Sequence, residues 1–149
     1  MILTFDALEP LRGRVAMVDG AFDPLHAGHI EYFSAASRLG LPLLCNVAGD
    51  EYVSTKHPPL LAGPDRVVVI DAIRYISFTH LSRFDTETVL EQLRPRYYVK
   101  GNDWEARGLP AAQLALCERL GIEIVYLDTV RDSSSRLLER FTLKQNGVS

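Results

Sequence analysis

The sequence predicts an α/β protein, a parallel sheet of about five strands with helices on both faces. Three observations lead there. Short apolar runs alternate along the chain with stretches of helical period. Glycines punctuate the ends of these runs, with Gly20 after the first strand and Gly40 and Gly121 after helices. The 149 residues hold no internal repeat, low-complexity segment or linker, so a single domain over 1–149 with one sizeable core is expected.

The first strand, 14–19, is carried by Val15-Ala16-Met17-Val18, and helical spacing follows over 28–39. A second strand is expected over 41–48, Leu-Pro-Leu-Leu-Cys-Asn-Val-Ala. Over 65–75 the β-branched run Val67-Val68-Val69-Ile70 by itself suggests a strand. Helix is the better reading, because Val69, Ala72, Ile73 and Ile76 follow helical spacing while Arg66, Asp71 and Arg74 interrupt any strand. A weaker strand at 76–80, a helix at 86–93 and a strand at 97–100 continue the alternation. Pro110 in the first turn and Gly121 just past the end bound a helix at 110–120, with Leu109, Ala112, Leu116 and Leu120 on one face. A strand at 122–127 and a helix at 134–141 complete the order.

Composition excludes several functions. With 47% hydrophobic and 23% charged residues the chain is an ordinary globular one, and a net charge of -3 argues against nucleic acid as a partner. Cys45 and Cys117 lie far apart in apolar patterns and are expected as buried free thiols. Asp6 and Glu9 interrupt the N-terminal apolar residues, so no signal peptide is read there. No apolar run approaches the ~20 residues of a membrane span. No membrane insertion and a cytoplasmic location are the expectations.

The chemistry concentrates at strand ends, where ligands bind in open parallel sheets. Gly20-Ala21-Phe22-Asp23-Pro24-Leu25-His26-Ala27-Gly28-His29 joins the first strand to the first helix. A glycine there permits close backbone approach, and the opening helix offers free N–H groups and its positive dipole end. With His26 and His29 on one turn, these features suit a polyanion, and a nucleotide's phosphate chain is the obvious one. Two structural histidines capping the turn are the plain alternative. A metal site is set aside, since no third ligand of defined spacing accompanies the pair. Asp23 is either a turn former or a polar contact to a second substrate.

Later strand ends repeat the theme. Lys56 lies beyond the second strand, either simply solvated or contacting phosphate. Gly101 and Asp103 follow the fourth, where Asp103 either accepts from a ribose hydroxyl or nucleobase amine or only shapes a turn. Ser133-Ser134-Ser135 opens the last helix as ordinary N-caps or as a second anion cradle. Arg66 and Arg74 lie within about a quarter turn of each other on an ideal helix, either as surface charges or as a grip on a second phosphate group.

With these residues in view the chain resembles the cytidylyltransferase-like nucleotidyltransferases, whose (G)xFDxxHxGH signature Phe22–His29 fits in full. Asp65-Arg66 with Ala72-Ile73-Arg74-Tyr75 resembles the family's arginine-bearing helix. Leu93-Arg94-Pro95 and Val99-Lys100-Gly101-Asn102-Asp103-Trp104 resemble a segment of the heptose 1-phosphate adenylyltransferases, and Ser133-Ser134-Ser135-Arg136 a C-terminal serine motif. Glycerol-3-phosphate cytidylyltransferases are similar too. The RTxGIS pattern is absent, however, and Asn102 stands in place of the first aspartate of GDDW.

The resemblance implies a Rossmann-like three-layer fold and transfer of a nucleoside monophosphate from CTP or ATP to a sugar- or polyol-phosphate, with release of pyrophosphate. It implies that His26, His29 and Lys56 are catalytic and that the Gly20, Ala21 and Phe22 backbone lies against the nucleotide. Gly101, Asp103 and Ser133, Ser134 and Ser135 would contact nucleoside or phosphates, and Asp23, Arg66 and Arg74 the acceptor. Mg²⁺ is expected to arrive with the nucleotide. A homodimer is one form open to the chain, though no exposed stripe defines an interface. No fused kinase is expected, so the phosphorylated acceptor comes from elsewhere. A nucleotide-binding or regulatory protein that has lost catalysis is the alternative.

Overall fold

A computed structural model describes residues 1–128. Six strands form one sheet, every neighbouring pair parallel, in the order β1-β4-β3-β2-β5-β6. They are β1 (Ile2–Leu3), β2 (Ala16–Gly20), β3 (Leu43–Val47), β4 (Phe78–Leu81), β5 (Tyr97–Gly101) and β6 (Glu123–Leu127). The strand not expected, β1, has two residues, too few for any periodicity to register. All five residues of β3 are buried, as a central parallel strand covered on both faces requires.

Helices α1 (Ala27–Ser37) and α3 (Gly63–Asp71) cover one face, packing Phe33, Ala36, Val67 and Ile70 against Val18, Cys45 and Val99. A 3-10 helix at Phe5–Leu11 covers the other with α4 (Thr86–Leu93) and α6 (Ala111–Leu120), packing Leu8, Leu90, Leu93 and Cys117 against Met17, Leu44 and Tyr98. The architecture is the three-layer, Rossmann-like one. Two further short helices, α2 (Asp50–Ser54) and α5 (Asn102–Arg107), sit at the carboxyl ends of β3 and β5. The helix expected at 134–141 lies outside the described residues.

Two inward faces differ from expectation. Helix α3 is a helix, but it ends at Asp71 and turns Gly63, Arg66, Val67 and Ile70 inward, leaving Val69 45% exposed. On α6 the inner residue is Cys117, flanked by half-buried Gln113, Leu116 and Leu120, while Ala112 faces solvent. Gly121 does close α6, with φ +71 and its N–H on the Glu118 carbonyl.

The chain runs β2, β3, β4 outward on one side of β2, then returns to place β5 on its other side. This reversal makes a crevice at the carboxyl edge. It is widened because β2 pairs with β5 only at Ala16 and Met17 and then diverges from it.

One buried cation organises that edge. The Arg66 side chain is 1% exposed, and its Nε donates to the Leu61 carbonyl at 3.0 Å. Nη1 donates to the Ala21 and Ala48 carbonyls at 2.9 and 2.7 Å, and Nη2 to Asp50 Oδ1 at 2.6 Å. Asp50 in turn accepts the Gly63 N–H at 2.9 Å, capping α3, and that bond together with Arg66 holds its carboxyl below the usual carboxylate range. Asp23 pins the same loop by accepting the Leu60 and Leu61 N–H groups at 2.8 and 3.2 Å. Gly49 completes the crossing, since a Cβ there would meet the Ser82 carbonyl oxygen at 2.5 Å.

Only a planar five-donor fork reaches all four acceptors, so Arg66→Lys is expected to cost about 2 kcal/mol and Arg66→Met about 3–5 kcal/mol. Urea denaturation reads this as a lowered midpoint at unchanged slope. A loss under about 0.5 kcal/mol for Arg66→Met would show the fork to be dispensable.

Candidate functional site

Helix α1 begins at the turn singled out in the sequence, and two histidines build its cap. His26 is the N-cap residue, and its Nδ1 accepts the Gly28 N–H at 3.1 Å. His29 reaches back, its Nδ1 accepting the His26 N–H at 3.3 Å. This is a capping box made of imidazoles rather than of serine and glutamate. The reading of the pair as structural caps is therefore correct, and it does not exclude chemistry. Because each Nδ1 accepts a backbone N–H, each neutral ring carries its proton on Nε2. The rings are tilted by 31° with centroids 3.9 Å apart, and burial, then the neighbouring His26, push His29 down to about 3. A neutral donor at a helix N-terminus results.

Phe22 locks this turn. Its φ of 52° lies in the left-handed region, uncommon for a bulky residue. Its ring packs edge-on against His29 and Phe33, at 5.0 and 5.1 Å. A Cβ on Gly20 would meet that ring at 3.0 Å. The absence of a Cβ at Gly20 thus makes room for the Phe22 ring. Tyr32, one turn further along α1, donates its hydroxyl to the Val99 carbonyl and ties the helix to β5.

Beside the turn, the crevice opens as a cleft of about 980 Å³ over the carboxyl ends of β2, β3, β4 and β5. Gly20, Ala21 and Lys56 line it. Lys56 is exposed on the rim, its Nζ 5.0 Å from the Tyr52 ring centroid. His26 and His29 stand at the same edge without lining the cleft. Gly101 is buried at the N-cap of α5, and Asp103 is exposed on that helix, 3.9 Å from Arg107.

Other expected residues are placed differently. Asp23 and Arg66 are brought to this edge, but the bonds already described hold them within the protein. Arg74 is not brought there. Helix α3 stops before it, and it lies exposed in the connection entering the amino end of β4, stacked over Tyr75 at 5.7 Å. A joint grip by Arg66 and Arg74 is ruled out by that separation. Ser133, Ser134 and Ser135 lie outside the described residues.

The cleft floor holds residues the sequence reading missed. Asp19, Asn46 and His80 occupy one level on adjacent strands, Asp19 opposite Asn46 and Asn46 opposite His80. His80 and Asn46 are buried and joined Nδ1 to Oδ1 at 2.8 Å, and burial pushes His80 down to about 4. Lys100 bridges the gap between β5 and β2, its Nζ 2.9 Å from Asp19 Oδ1 and 4.5 Å from the Trp104 ring centroid. Tyr98 donates to Asp19 Oδ2 at 3.1 Å, and Gln113 meets the same hydroxyl at 3.3 Å. The signal was present: each apolar strand run breaks to a polar residue near its end. Without the register, their alignment is invisible.

Among the described residues, no group of three or more His, Cys, Asp or Glu could hold a metal ion, and no helix is long and apolar enough to cross a membrane. The sequence is 34% identical over 151 residues to the bifunctional protein HldE of Trichlorobacter lovleyi, covering 93% of this chain and 30% of that protein. It thus spans about a third of such relatives. It is 28% identical to the FAD synthase of Pyrococcus horikoshii, covering 85% of this chain and 90% of that one. The solved structure of a lipopolysaccharide core biosynthesis protein from Thermoplasma volcanium superposes with a TM-score of 0.67 at 25% identity, over 78% of this chain and 98% of the other. The profile of the cytidylyltransferase-like family matches residues 17–136, and with the FDxxHxGH turn and its strand-end cleft in place, the chain belongs to that family of nucleotidyltransferases.

Proposed function

We propose that this protein transfers a nucleoside monophosphate from CTP or ATP to a sugar- or polyol-phosphate, releasing pyrophosphate. The observation that carries the proposal is the mutual capping of His26 and His29, which engages both Nδ1 atoms and so turns both Nε2 atoms into donors at the positive end of α1. An acceptor phosphate oxygen attacks the α-phosphorus, forming one P–O bond as the bond to the pyrophosphate leaving group breaks. The nucleophile is already an anion, so no general base is needed. The protein's task is to hold two repelling polyanions in line and to stabilise charge as it moves to the non-bridging and leaving oxygens. His26 and His29 serve the transferring phosphoryl group, and Lys56 on the rim neutralises the triphosphate. Asp19 and Asp50 are engaged by Lys100 and Arg66, so the main ligands of Mg²⁺ would come from the nucleotide that carries it. When bound, that ion would offset charge on the leaving group.

Arg66 supports this chemistry indirectly, by fixing the Ala21 and Ala48 carbonyls that frame the cleft. The acceptor's phosphate is left to the exposed cations Lys56 and Arg83 and to the helix N-terminus.

Pyrophosphate release from ATP or CTP with a panel of sugar and polyol phosphates tests the proposal. Stabilisation by nucleotide with no release from any member would identify a binding protein instead. His26→Asn, which keeps an N-cap acceptor, and His29→Ala are expected to lower kcat about 10²–10³-fold while acceptor KM stays within about threefold. Unchanged kcat in either variant would remove that histidine from the mechanism.

Because His29 donates while neutral, kcat is expected to stay level as pH rises from about 6 to about 8. A rate falling through about 6.5 would mark a protonated imidazole and overturn the neutral-donor mechanism. The same depression bears on stability with a definite sign. Between about 3 and 6.5 the unfolded chain binds the proton that folded His29 refuses, so thermal melting should drop as pH falls through that window.

A further inference from the structure

We propose that the polar row Asp19, Asn46 and Lys100, backed by His80 and Tyr98, is the specificity-determining floor of the acceptor subsite, reading several hydroxyls of an uncharged sugar body. This rests on the proposed transfer reaction and names what its cleft selects. A strand in a sheet covered on both faces should be apolar at every position. Here four adjacent strands break that pattern at the same edge and on the same face, beneath a cleft large enough for a sugar phosphate.

Charge decides the ligand class. Lys100 and Asp19 neutralise each other at 2.9 Å, with side chains only 9% and 12% exposed. A phosphate laid on the floor would face the Asp19 carboxylate without an unpaired cation to balance it, so the phosphoryl end belongs at the rim. An apolar ligand would strand the row's remaining hydrogen-bonding groups, at about 1–3 kcal/mol each. Asn46 gives its Oδ1 to His80 and keeps both amide hydrogens, Lys100 keeps two ammonium hydrogens, and Gln113 offers its amide. Hydroxyls, which donate and accept, match such a mixed set.

Length decides the size. Asn46 and Asp19 are one strand apart and Lys100 reaches across from the next, so the floor extends over about two spacings, roughly 10 Å. The two C–C bonds of a three-carbon polyol, about 1.5 Å each, span less than one spacing. A six- or seven-carbon sugar engages both the Asn46 end and the Asp19–Lys100 end. His80 acts behind this surface as a positioning residue, fixing the Asn46 amide.

Calorimetric titration, with and without a non-hydrolysable α,β-methylene nucleotide, tests the floor without requiring turnover. The probes are hexose and heptose 1-phosphates, their single-deoxy analogues, glycerol 3-phosphate and inorganic phosphate. At least one sugar phosphate should bind more than about tenfold tighter than glycerol 3-phosphate or inorganic phosphate, and loss of one floor-facing hydroxyl should cost about tenfold or more. Asp19→Asn should weaken that sugar phosphate about tenfold and leave nucleotide affinity within about twofold. Should it fail to fold, the doubly neutral Asp19→Asn/Lys100→Gln and the minimal Tyr98→Phe make the same comparison. Deoxy analogues binding as tightly as their parents, no sugar phosphate binding, or a loss falling on the nucleotide instead would each overturn the proposal. Sugar-phosphate binding without pyrophosphate release keeps the floor and discards the reaction. Release at an unchanged rate from deoxy acceptors does the reverse.

Discussion

The carboxyl edge of this sheet is assembled around a single guanidinium. Parallel strands end in loops whose carbonyls have no ladder partner, and three such groups converge on Arg66 within 3.0 Å. A buried cation without them would be strongly unfavourable, and the carbonyls without a donor would be too. Each makes the other tolerable, so the loops after β2 and β3 and the one before α3 take one arrangement. The Gly20–His29 turn inherits its position from that arrangement, because Ala21 is one of the three.

Around this anchor the protein separates charge from neutrality. The histidines are caps and His29 stays uncharged, the Asp19–Lys100 pair cancels itself, and Arg66 is matched by Asp50 and carbonyls. The cations with freedom, Lys56 and Arg83, stand exposed where a triphosphate and an acceptor phosphate would arrive. The proposed site for two polyanions would thus combine fixed dipoles inside with exposed charge outside. Preorganised dipoles stabilise a transition state without rearranging, while mobile lysine and arginine follow ligands as they enter and leave.

The layers, the parallel sheet and the histidine turn were legible because each rests on local chemistry: apolar period, glycine placement, and two imidazoles on one turn. Helix α4 at Thr86–Leu93 falls where the spacing puts it, with Asp85 capping it by accepting the Thr88 N–H. What was illegible depends on pairing across the sheet. Nothing in the local pattern says that Asp19, Asn46, His80 and Lys100 meet, since register is a long-range property. The same holds for Arg66, which reads as a surface helix charge or a phosphate grip until the loops around it are seen. Asp23 reads as a turn former or as a contact to a second substrate, and its distant partners, Leu60 and Leu61, were equally hidden. Arg74 differs for the opposite reason: local spacing continues a helix to 75, whereas α3 ends at Asp71.

The short ladder between β2 and β5 divides the sheet into two bodies. On one side stand β1 to β4 with α1 and α3, on the other β5 and β6; two register pairs, the Arg96 N–H on the Val15 carbonyl, the Tyr32 bond to Val99, the Asp19 contacts and the packing of Val99 beside Val18 and Phe33 join them. Local opening follows the line of fewest hydrogen bonds, so amide hydrogens along that line should exchange at lower cost than those of β3, which is paired on both sides throughout. The crevice proposed to receive a ligand therefore lies along the line of sparsest pairing at the centre of the sheet. A molecule spanning it acts as a suture, and its binding energy appears as added cohesion between the halves.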